Sequence, residues 1–310
     1  MERLNQTSSV SEFILLGLSS QPEDQKPLFT LFLIIYLVTI TGNLLIILAV
    51  RSDPQLHTPM YFFLSFLSFI DICFSTTIVP RMLVDFLSEN KTISYAGCLA
   101  QMYFIYALGN TDSYLPAAMA YDRYVAICDP FHYITIMSRR PCVLLVDFSC
   151  SLHHFHSLLH ILLLNQLTFC NSNVVHHFFC DINPLLKLSC SSIFVNDLTI
   201  KTEGLVFGAT PFLCIVFSYV GILIAVLRIP SAAGKRKAFS TCGSHFAVVI
   251  LFYGSIFYVY LQPLSSYTVQ DRVATIVYTV LTSMLNPFIY SLRNKDMKRG
   301  LVKLLGRRKS

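Results

Sequence analysis

The sequence predicts an all-α membrane protein in which seven helices form a bundle. Three observations predict it: the composition, the lengths of the apolar runs and the distribution of basic residues. Hydrophobic residues make up 54% of the 310-residue chain, charged residues only 13%, and the mean hydropathy is +0.60. A soluble domain carries about a quarter charged residues because its surface faces water. The composition therefore excludes a soluble globule, and it equally excludes a disordered chain.

Seven apolar runs are long enough to cross a bilayer, which takes ~20 residues per helix. They are residues 27–50, 59–80, 92–121, 141–164, 204–227, 238–261 and 273–292. The fourth run is the weakest, because it contains Asp147 and four histidines. Barrel strands are excluded, since they would be ~10-residue pieces of alternating polarity. We expect an outer N-terminal segment at 1–26, a seven-helix domain at 27–292 and an inner segment at 293–310.

Basic residues predict the orientation, since they accumulate on the cytoplasmic side of a membrane protein. With the N-terminus outside, the inner segments hold 16 of the 23 Lys and Arg residues and the outer segments hold seven. This asymmetry predicts an outer N-terminus and an inner C-terminus. The net charge of +6 is then explained by basic residues that interact with the anionic lipid of the inner leaflet. No nucleic-acid partner is needed to explain it.

Two kinds of modification are predicted on the outer side. The sequons at Asn5 and Asn90 both fall in outer segments, which predicts glycosylation. Four cysteines lie at or beyond the outer membrane face, where disulfides form; they are Cys98, Cys170, Cys180 and Cys190. Four cysteines allow three pairings, and their spacing does not choose among them.

Ionisable residues inside the spans are the first candidates for function. Asp71 lies in the middle of the second span, with Asn43 and Asn286 as predicted polar partners. This polar core is either a switch or cation site, or a structural link between helices. Asp122 and Arg123 form a charged pair at the inner end of the third span.

A set of ordered motifs covers the chain nearly from end to end. They are FILLGL at Phe13–Leu18, GN at Gly42-Asn43, LHTPMYFFLSFLSFID at Leu56–Asp71, MAYDRYVAIC at Met119–Cys128, SY at Ser218-Tyr219, KAFSTCGSH at Lys237–His245 and LNPFIYSLRN at Leu285–Asn294. In these motifs the chain resembles the olfactory (odorant) receptors of the tetrapod type, within the rhodopsin-like G-protein-coupled receptors. The resemblance implies a receptor for small volatile organic ligands that activates a stimulatory G protein and raises cyclic AMP.

The resemblance also implies a switch at the inner end of the bundle. Asp122 would hold Arg123 at rest, and activation would free Arg123 for Tyr219 and Tyr290 to stabilise. Pro287 would supply the backbone break that lets Tyr290 reorient. Switch residues carried over from the family are Asp122, Arg123, Tyr124, Tyr219, Asn286, Pro287 and Tyr290. The basic residues 235–237 would complete the G-protein surface, and 293–305 would form an amphipathic helix on the inner leaflet.

The ligand site implied by the resemblance lies in the outer half of the bundle. Its predicted residues are Ile105, Tyr106, Gly109, Asn110, Glu203, Phe207, Tyr253, Ile256, Tyr260 and Tyr278. For each aromatic residue, ordinary helix packing is the alternative. The family's helix-to-loop disulfide corresponds to Cys98 with Cys180, which leaves Cys170 to pair with Cys190.

Other functions are disfavoured by the sequence. The cluster His177–Asp181 could offer metal donors, but Cys180 would be oxidised in a disulfide. His153, His156 and His160 share one helix face without a carboxylate on that face, so we expect no metal site and no cofactor. An enzyme is not expected, because the chain contains no phosphate loop or HExxH motif. A transporter or channel is the alternative function, although the sequence lacks the internal repeat that many transporters show.

This chain departs from the family's usual pattern in several positions. Pro116 stands inside the third span where the family usually has leucine, and a proline inside a helix can cost ~3 kcal/mol. Cys150 replaces a tryptophan in the fourth span, which also carries Asp147. We therefore expect Pro116 and the altered fourth helix to impair folding. Milder departures are Asp129, Phe131 and Ser283.

Overall fold

In the computed structural model of the chain, the described residues are 10–19, 21–170, 172–228, 249–260, 269–292 and 294–306. Most of these residues are helical. The helices are α1 (Pro22–Ser52), α2 (Pro59–Leu87), α3 (Tyr95–Cys128), α4 (Tyr133–Ile136), α5 (Arg139–Leu164), α6 (Ile182–Leu186), α7 (Phe194–Glu203), α8 (Ala209–Leu227), α9 (Val249–Tyr260), α10 (Val269–Ile276), α11 (Thr282–Leu292) and α12 (Lys295–Gly306).

The predicted spans correspond to these helices with shifted ends. Spans one to four are α1, α2, α3 and α5. The fifth joins α7 to α8 through a π-helical turn at Gly204–Gly208, and α9 lies in the sixth. The seventh joins α10 to α11 through a π-helical turn at Val277–Leu281. Among the described residues, five helices are long and apolar enough to cross a membrane, by length and composition. The 34-residue α3 is long enough as well, and the architecture is the expected seven-helix bundle.

The first helix begins before its predicted start at residue 27. Pro22 occupies its first turn, followed by the acidic Glu23 and Asp24. Proline is favoured in a first helical turn, and acidic side chains there interact favourably with the helix dipole. The segment 1–26 therefore includes the start of a membrane helix, which an apolar-run search misses because its first turns are polar.

The centre of the bundle is α3, which contacts α2, α5 and α8. The Ser94 hydroxyl caps this helix by accepting a hydrogen bond from the Gly97 amide. The helix continues through Pro116 to Cys128. Residues from α3 belong to all four apolar clusters of the core, so this helix connects the outer, middle and inner parts of the bundle.

A three-stranded sheet closes the end of the bundle that the sequence predicts to face outward. The N-terminal strand β1 (Glu12–Leu15) lies between β2 (Thr92–Ser94), to which it is antiparallel, and β3 (Val174–Val175), to which it is parallel. Phe13 and Leu15 of β1 are fully buried. Two connecting loops and the N-terminal segment thus form one structure, which the sequence did not predict.

Two disulfides hold the long second outer loop. Cys98 at the start of α3 bonds to Cys180, and Cys170 bonds to Cys190. These are the pairs that the family resemblance implied. Between them, the loop forms the short helix α6, all of whose residues are buried. The loop is therefore a packed layer over the helices.

The inner end carries the amphipathic helix α12. Asn294 caps it by accepting hydrogen bonds from the amides of Asp296 and Met297. Met297 is fully buried and packs in one apolar cluster with Leu56, from the turn after α1. An ion pair of 3.2 Å between Lys303 and Asp53 adds a polar contact between the same two segments.

Candidate ligand site

A cavity of about 110 Å³ lies in the outer half of the bundle. Nine of the ten residues predicted for the ligand site line it. They are Ile105, Tyr106, Gly109, Asn110, Glu203, Phe207, Ile256, Tyr260 and Tyr278. These side chains come from α3, α7, the two π-helical turns and α9, and most of the lining is apolar. A mostly apolar cavity with a few polar groups suits a small organic ligand.

Tyr253, the tenth predicted residue, does not line this cavity. It is 1% exposed, and its hydroxyl donates a hydrogen bond to the main-chain carbonyl of Ser113. It borders instead a much smaller cavity with Asp112, Pro116 and Asn286. Helix spacing placed Tyr253 in line with Ile256 and Tyr260, but it lies deeper in the bundle and acts as a packing residue between α9 and α3.

Asp181, next to the disulfide-bonded Cys180, binds two tyrosines that line the cavity. It accepts hydrogen bonds from Tyr106 at 2.9 Å and from Tyr260 at 3.3 Å. The Tyr260 and Tyr278 hydroxyls lie 3.0 Å apart. Burial raises the pKa of Asp181 to about 6, against the opposing effect of these hydrogen bonds and of the Ile182 amide. In the sequence, Asp181 is recognisable only as a potential metal donor, because its hydrogen bonds to Tyr106 and Tyr260 depend on contacts between distant segments.

A second polar group lies in the cavity wall between α5 and α7. The Glu203 carboxylate oxygen Oε2 lies 2.6 Å from His156 Nε2 and 2.7 Å from His160 Nε2. His156 Nδ1 lies 3.1 Å from the Asn110 amide nitrogen. The two histidines are one turn apart on α5, so they face the same way. The expectation of no metal site rested on the missing carboxylate, and α7 supplies one from a different helix.

A π-helical turn lies next to Glu203. This turn, Gly204–Gly208, directly follows Glu203, and Gly204 and Gly208 both line the cavity. A π-helical turn widens the helix locally and changes the direction in which the side chains on either side of it point.

The predicted polar core is assembled in the middle of the bundle. The Asn286 amide donates hydrogen bonds to both carboxylate oxygens of Asp71, at 3.0 and 3.3 Å. The Asn43 amide donates instead to the main-chain carbonyls of Ser283 and Thr39. Asp71 and Asn43 are fully buried. The core thus links α2 to α11 through side chains, and α1 to α11 through a backbone carbonyl.

The inner switch residues are arranged differently from the resting state that the resemblance implied. The Asp122 carboxylate accepts a hydrogen bond of 2.9 Å from Tyr133 of α4, and the structure has no ion pair between Asp122 and Arg123, which are both described. The hydrogen-bond partner of Asp122 is thus the short inner helix α4. Tyr124 and Tyr219 pack in one cluster on the inner side of α3 and α8.

Several predicted residues lie outside the described part of the chain. Asn5 and the basic residues 235–237 belong to undescribed segments, and the side chain of Tyr290 is not described. Pro287 lies inside α11, where Gly42 of α1 allows its close approach: a Cβ added at Gly42 would lie 3.0 Å from that of Pro287. Asn90 is exposed in the turn before β2, which leaves its sequon accessible.

Seven helical segments, a disulfide from the third segment to the outer loop, and an Asp-Arg-Tyr sequence at its inner end define a receptor of the G-protein-coupled class. Comparison with known proteins identifies the family within this class. The sequence model of the family described as olfactory receptor matches residues 32–308. The chain belongs to the olfactory receptor family, whose members are multi-pass receptors of the plasma membrane and not enzymes.

Individual relatives match along their whole length. The chain is 73% identical over 308 residues to olfactory receptor 1L8 of Homo sapiens, which covers 99% of this chain and 100% of that protein. It is 72% identical over 307 residues to olfactory receptor 1L3 of Homo sapiens, covering 99% and 95%. Olfactory receptor 1f45 of Rattus norvegicus is 57% identical over 309 residues, covering 99% and 98%. Because the chain belongs to the olfactory receptor family, the alternative function as a transporter or channel is rejected.

Proposed function

We propose that this receptor binds a small volatile organic ligand in the cavity between α3, α7 and α9. The observation that carries the proposal is the cavity itself, whose mostly apolar lining is interrupted by polar residues, among them Glu203 and the tyrosines Tyr106 and Tyr260 that bind Asp181. The apolar lining favours a ligand with little polar surface, and the polar groups supply one or two hydrogen bonds. The ligand would lie directly beneath the disulfide-held outer loop.

The proposed output is activation of a stimulatory G protein that raises cyclic AMP. Support comes from the inner end of the bundle, where Asp122 is bonded to Tyr133 and Arg123 is not paired with it. A ligand acts on such a switch only through a difference in its affinity for the two states. We also propose the orientation with the N-terminus outside, which the excess of basic residues in the inner segments supports.

The test is a cyclic AMP assay in cells that express the N-terminally tagged receptor and are exposed to a panel of volatile compounds. Ile256→Trp fills the cavity, and Leu251→Trp adds the same side chain to an exposed position of the same helix. We expect Ile256→Trp to raise the half-maximal odorant concentration at least ~10-fold, since ~1.4 kcal/mol of lost binding has that effect. Leu251→Trp is expected to respond like the unmodified chain.

Surface staining of intact cells accompanies the assay. Equal staining of both variants makes the comparison valid, and staining without permeabilisation places the N-terminus outside. If both variants respond equally to every active odorant at equal surface level, the ligand does not bind in this cavity.

A further inference from the structure

The cluster formed by His156, His160 and Glu203 has the composition and geometry of a metal site. Two imidazoles and one carboxylate offer ligand atoms that all lie within 4.8 Å of one another. The side chains are 8%, 3% and 17% exposed, so the cluster is sheltered from solvent while it borders the cavity. We propose that it binds a divalent transition metal ion, and that zinc is the best match.

Ligand type supports zinc. Two histidines and one glutamate are a known ligand set of zinc sites that keep a fourth position open, and imidazole nitrogen excludes the hard cations calcium and magnesium as preferred occupants. In this cluster the fourth position faces the cavity, where water or a ligand atom can occupy it. The ligands carry a net charge of −1 when both imidazoles are neutral, so a divalent ion leaves a charge of +1 in the cavity wall.

The geometry requires only a small adjustment. Zinc–nitrogen and zinc–oxygen distances of about 2.0–2.2 Å place tetrahedral ligand atoms about 3.3 Å apart. The Glu203 oxygen now lies 2.6 and 2.7 Å from the two nitrogens. The Glu203 oxygen therefore moves away from each of the two nitrogens by roughly 0.6 Å on metal binding, which side-chain rotation of Glu203 can supply next to the open space at Gly204.

The proton balance is simple. Without metal, the Glu203 carboxylate accepts a hydrogen bond from each Nε2, so these nitrogens carry the protons. Metal binding needs the Nε2 lone pairs, and each proton moves to Nδ1 of the same ring without net release. The Nδ1–H of His156 can then donate to the Asn110 amide oxygen once that amide rotates. Such a hydrogen bond fixes the ring that holds the metal.

Metal binding can be measured without an odorant, so its failure is distinguishable from failure of the proposed function. The experiment uses the full-length receptor, purified in detergent through a tag without histidine and stripped with a chelator. Cobalt is added as a spectroscopic probe, and zinc is then titrated against it. We expect one equivalent of cobalt with the intense visible absorption of tetrahedral coordination, and its displacement by one equivalent of zinc.

Matched variants locate the ion. His160→Gln and Glu203→Gln keep polar side chains in place and are expected to lower zinc affinity more than about 100-fold. Asn110→Ala is expected to lower it about 10-fold, as loss of an outer hydrogen bond to a metal-binding histidine does. His154→Gln is the control, because His154 is exposed on the same helix and bonds to Tyr103. Unchanged zinc affinity in the first two variants, or a wild-type receptor without the tetrahedral cobalt spectrum, would overturn the proposal.

Discussion

Tyr106 on α3 donates a hydrogen bond of 2.9 Å to Asp181, the residue that follows the half-cystine Cys180 of the outer loop. Cys180 is bonded covalently to Cys98, on the same helix as Tyr106. The loop is therefore attached to α3 twice within two consecutive residues. Because Tyr106 also lines the cavity, a change at this hydrogen bond alters the outer loop and the cavity wall together.

The raised pKa of Asp181 predicts a pH dependence of stability. Burial raises this pKa from 3.8 to about 6, so the folded state binds the proton more tightly than the unfolded state does. The resulting stabilisation is fully present below pH 3.8 and is lost as the pH rises through about 6. The difference between these two pKa values corresponds to ~3 kcal/mol of folding free energy. We expect the melting temperature of the wild type, relative to Asp181→Asn, to fall across this range.

The comparison with Asp181→Asn is needed because the contribution of His177 to stability changes with pH in the opposite direction. Burial lowers the pKa of His177 to about 3, so its contribution is present above pH 6.5 and is lost as the pH falls. His177 is present in both proteins, and the difference between their melting curves isolates Asp181. A difference that does not vary with pH would contradict the assignment.

Tyr133→Phe is expected to reduce G-protein activation. The variant removes the hydroxyl that binds Asp122, and the carboxylate then becomes available to Arg123. A restored Asp122–Arg123 pair favours the resting state, and ~1 kcal/mol for the lost hydrogen bond corresponds to roughly a fivefold shift in the two-state equilibrium. Ligand-independent cyclic AMP should fall accordingly at equal surface level.

A matched control uses another tyrosine near the same end of the bundle. Tyr121→Phe removes a hydroxyl from an exposed residue of α3, and it should leave the signal unchanged. Increased activity in Tyr133→Phe would show that the hydrogen bond restrains the switch instead of releasing it.

Pro116→Leu together with Cys150→Trp is expected to increase the surface level. Proline cannot donate the main-chain hydrogen bond that α3 would otherwise form at this point, at a cost of up to ~3 kcal/mol. Cys150 is only partly buried beside the inner apolar cluster, where a tryptophan would cover more of it. Flow cytometry of intact cells measures the effect, with each single variant alongside. An unchanged surface level in the double variant would contradict the expected folding defect.

Phe13→Ala is expected to reduce the surface level strongly. Phe13 is fully buried between Tyr95 and Phe169, and truncation of a buried phenylalanine costs ~3–5 kcal/mol. Glu12→Ala is the control, because Glu12 is the adjacent exposed residue and uses only its backbone in the sheet. Similar surface levels for the two variants would mean that the outer sheet contributes little to folding.

The sequence predicted the helices because they follow from local patterns: apolar runs of bilayer length mark membrane helices. The family resemblance, combined with helical position, proposed Ile105, Gly109 and Ile256 for the ligand site, and all three line the cavity. Contacts between distant segments could not be predicted in this way. The outer sheet joins residues 12–15, 92–94 and 174–175, and its strands are too short to stand out from loop sequence.

Side-chain partners on different helices were missed for the same reason. Glu203 was predicted as a ligand-site residue and His160 as part of a helix face, but their contact depends on how α7 faces α5. The π-helical turn after Glu203 sets that facing. The bond from Tyr133 to Asp122 likewise requires the position of α4, which no local pattern specifies.

The central position of β1 in its sheet also constrains the order in which the chain matures. Its partners are separated from it by about eighty and about one hundred and sixty residues, so a ribosome must translate past Val175 before the first strand finds its last neighbour. The first strand therefore completes its sheet only after residue 175 has been made. Shortened products that end before that point would leave Phe13 and Leu15 uncovered, and quality-control factors could distinguish them from complete chains by that exposure.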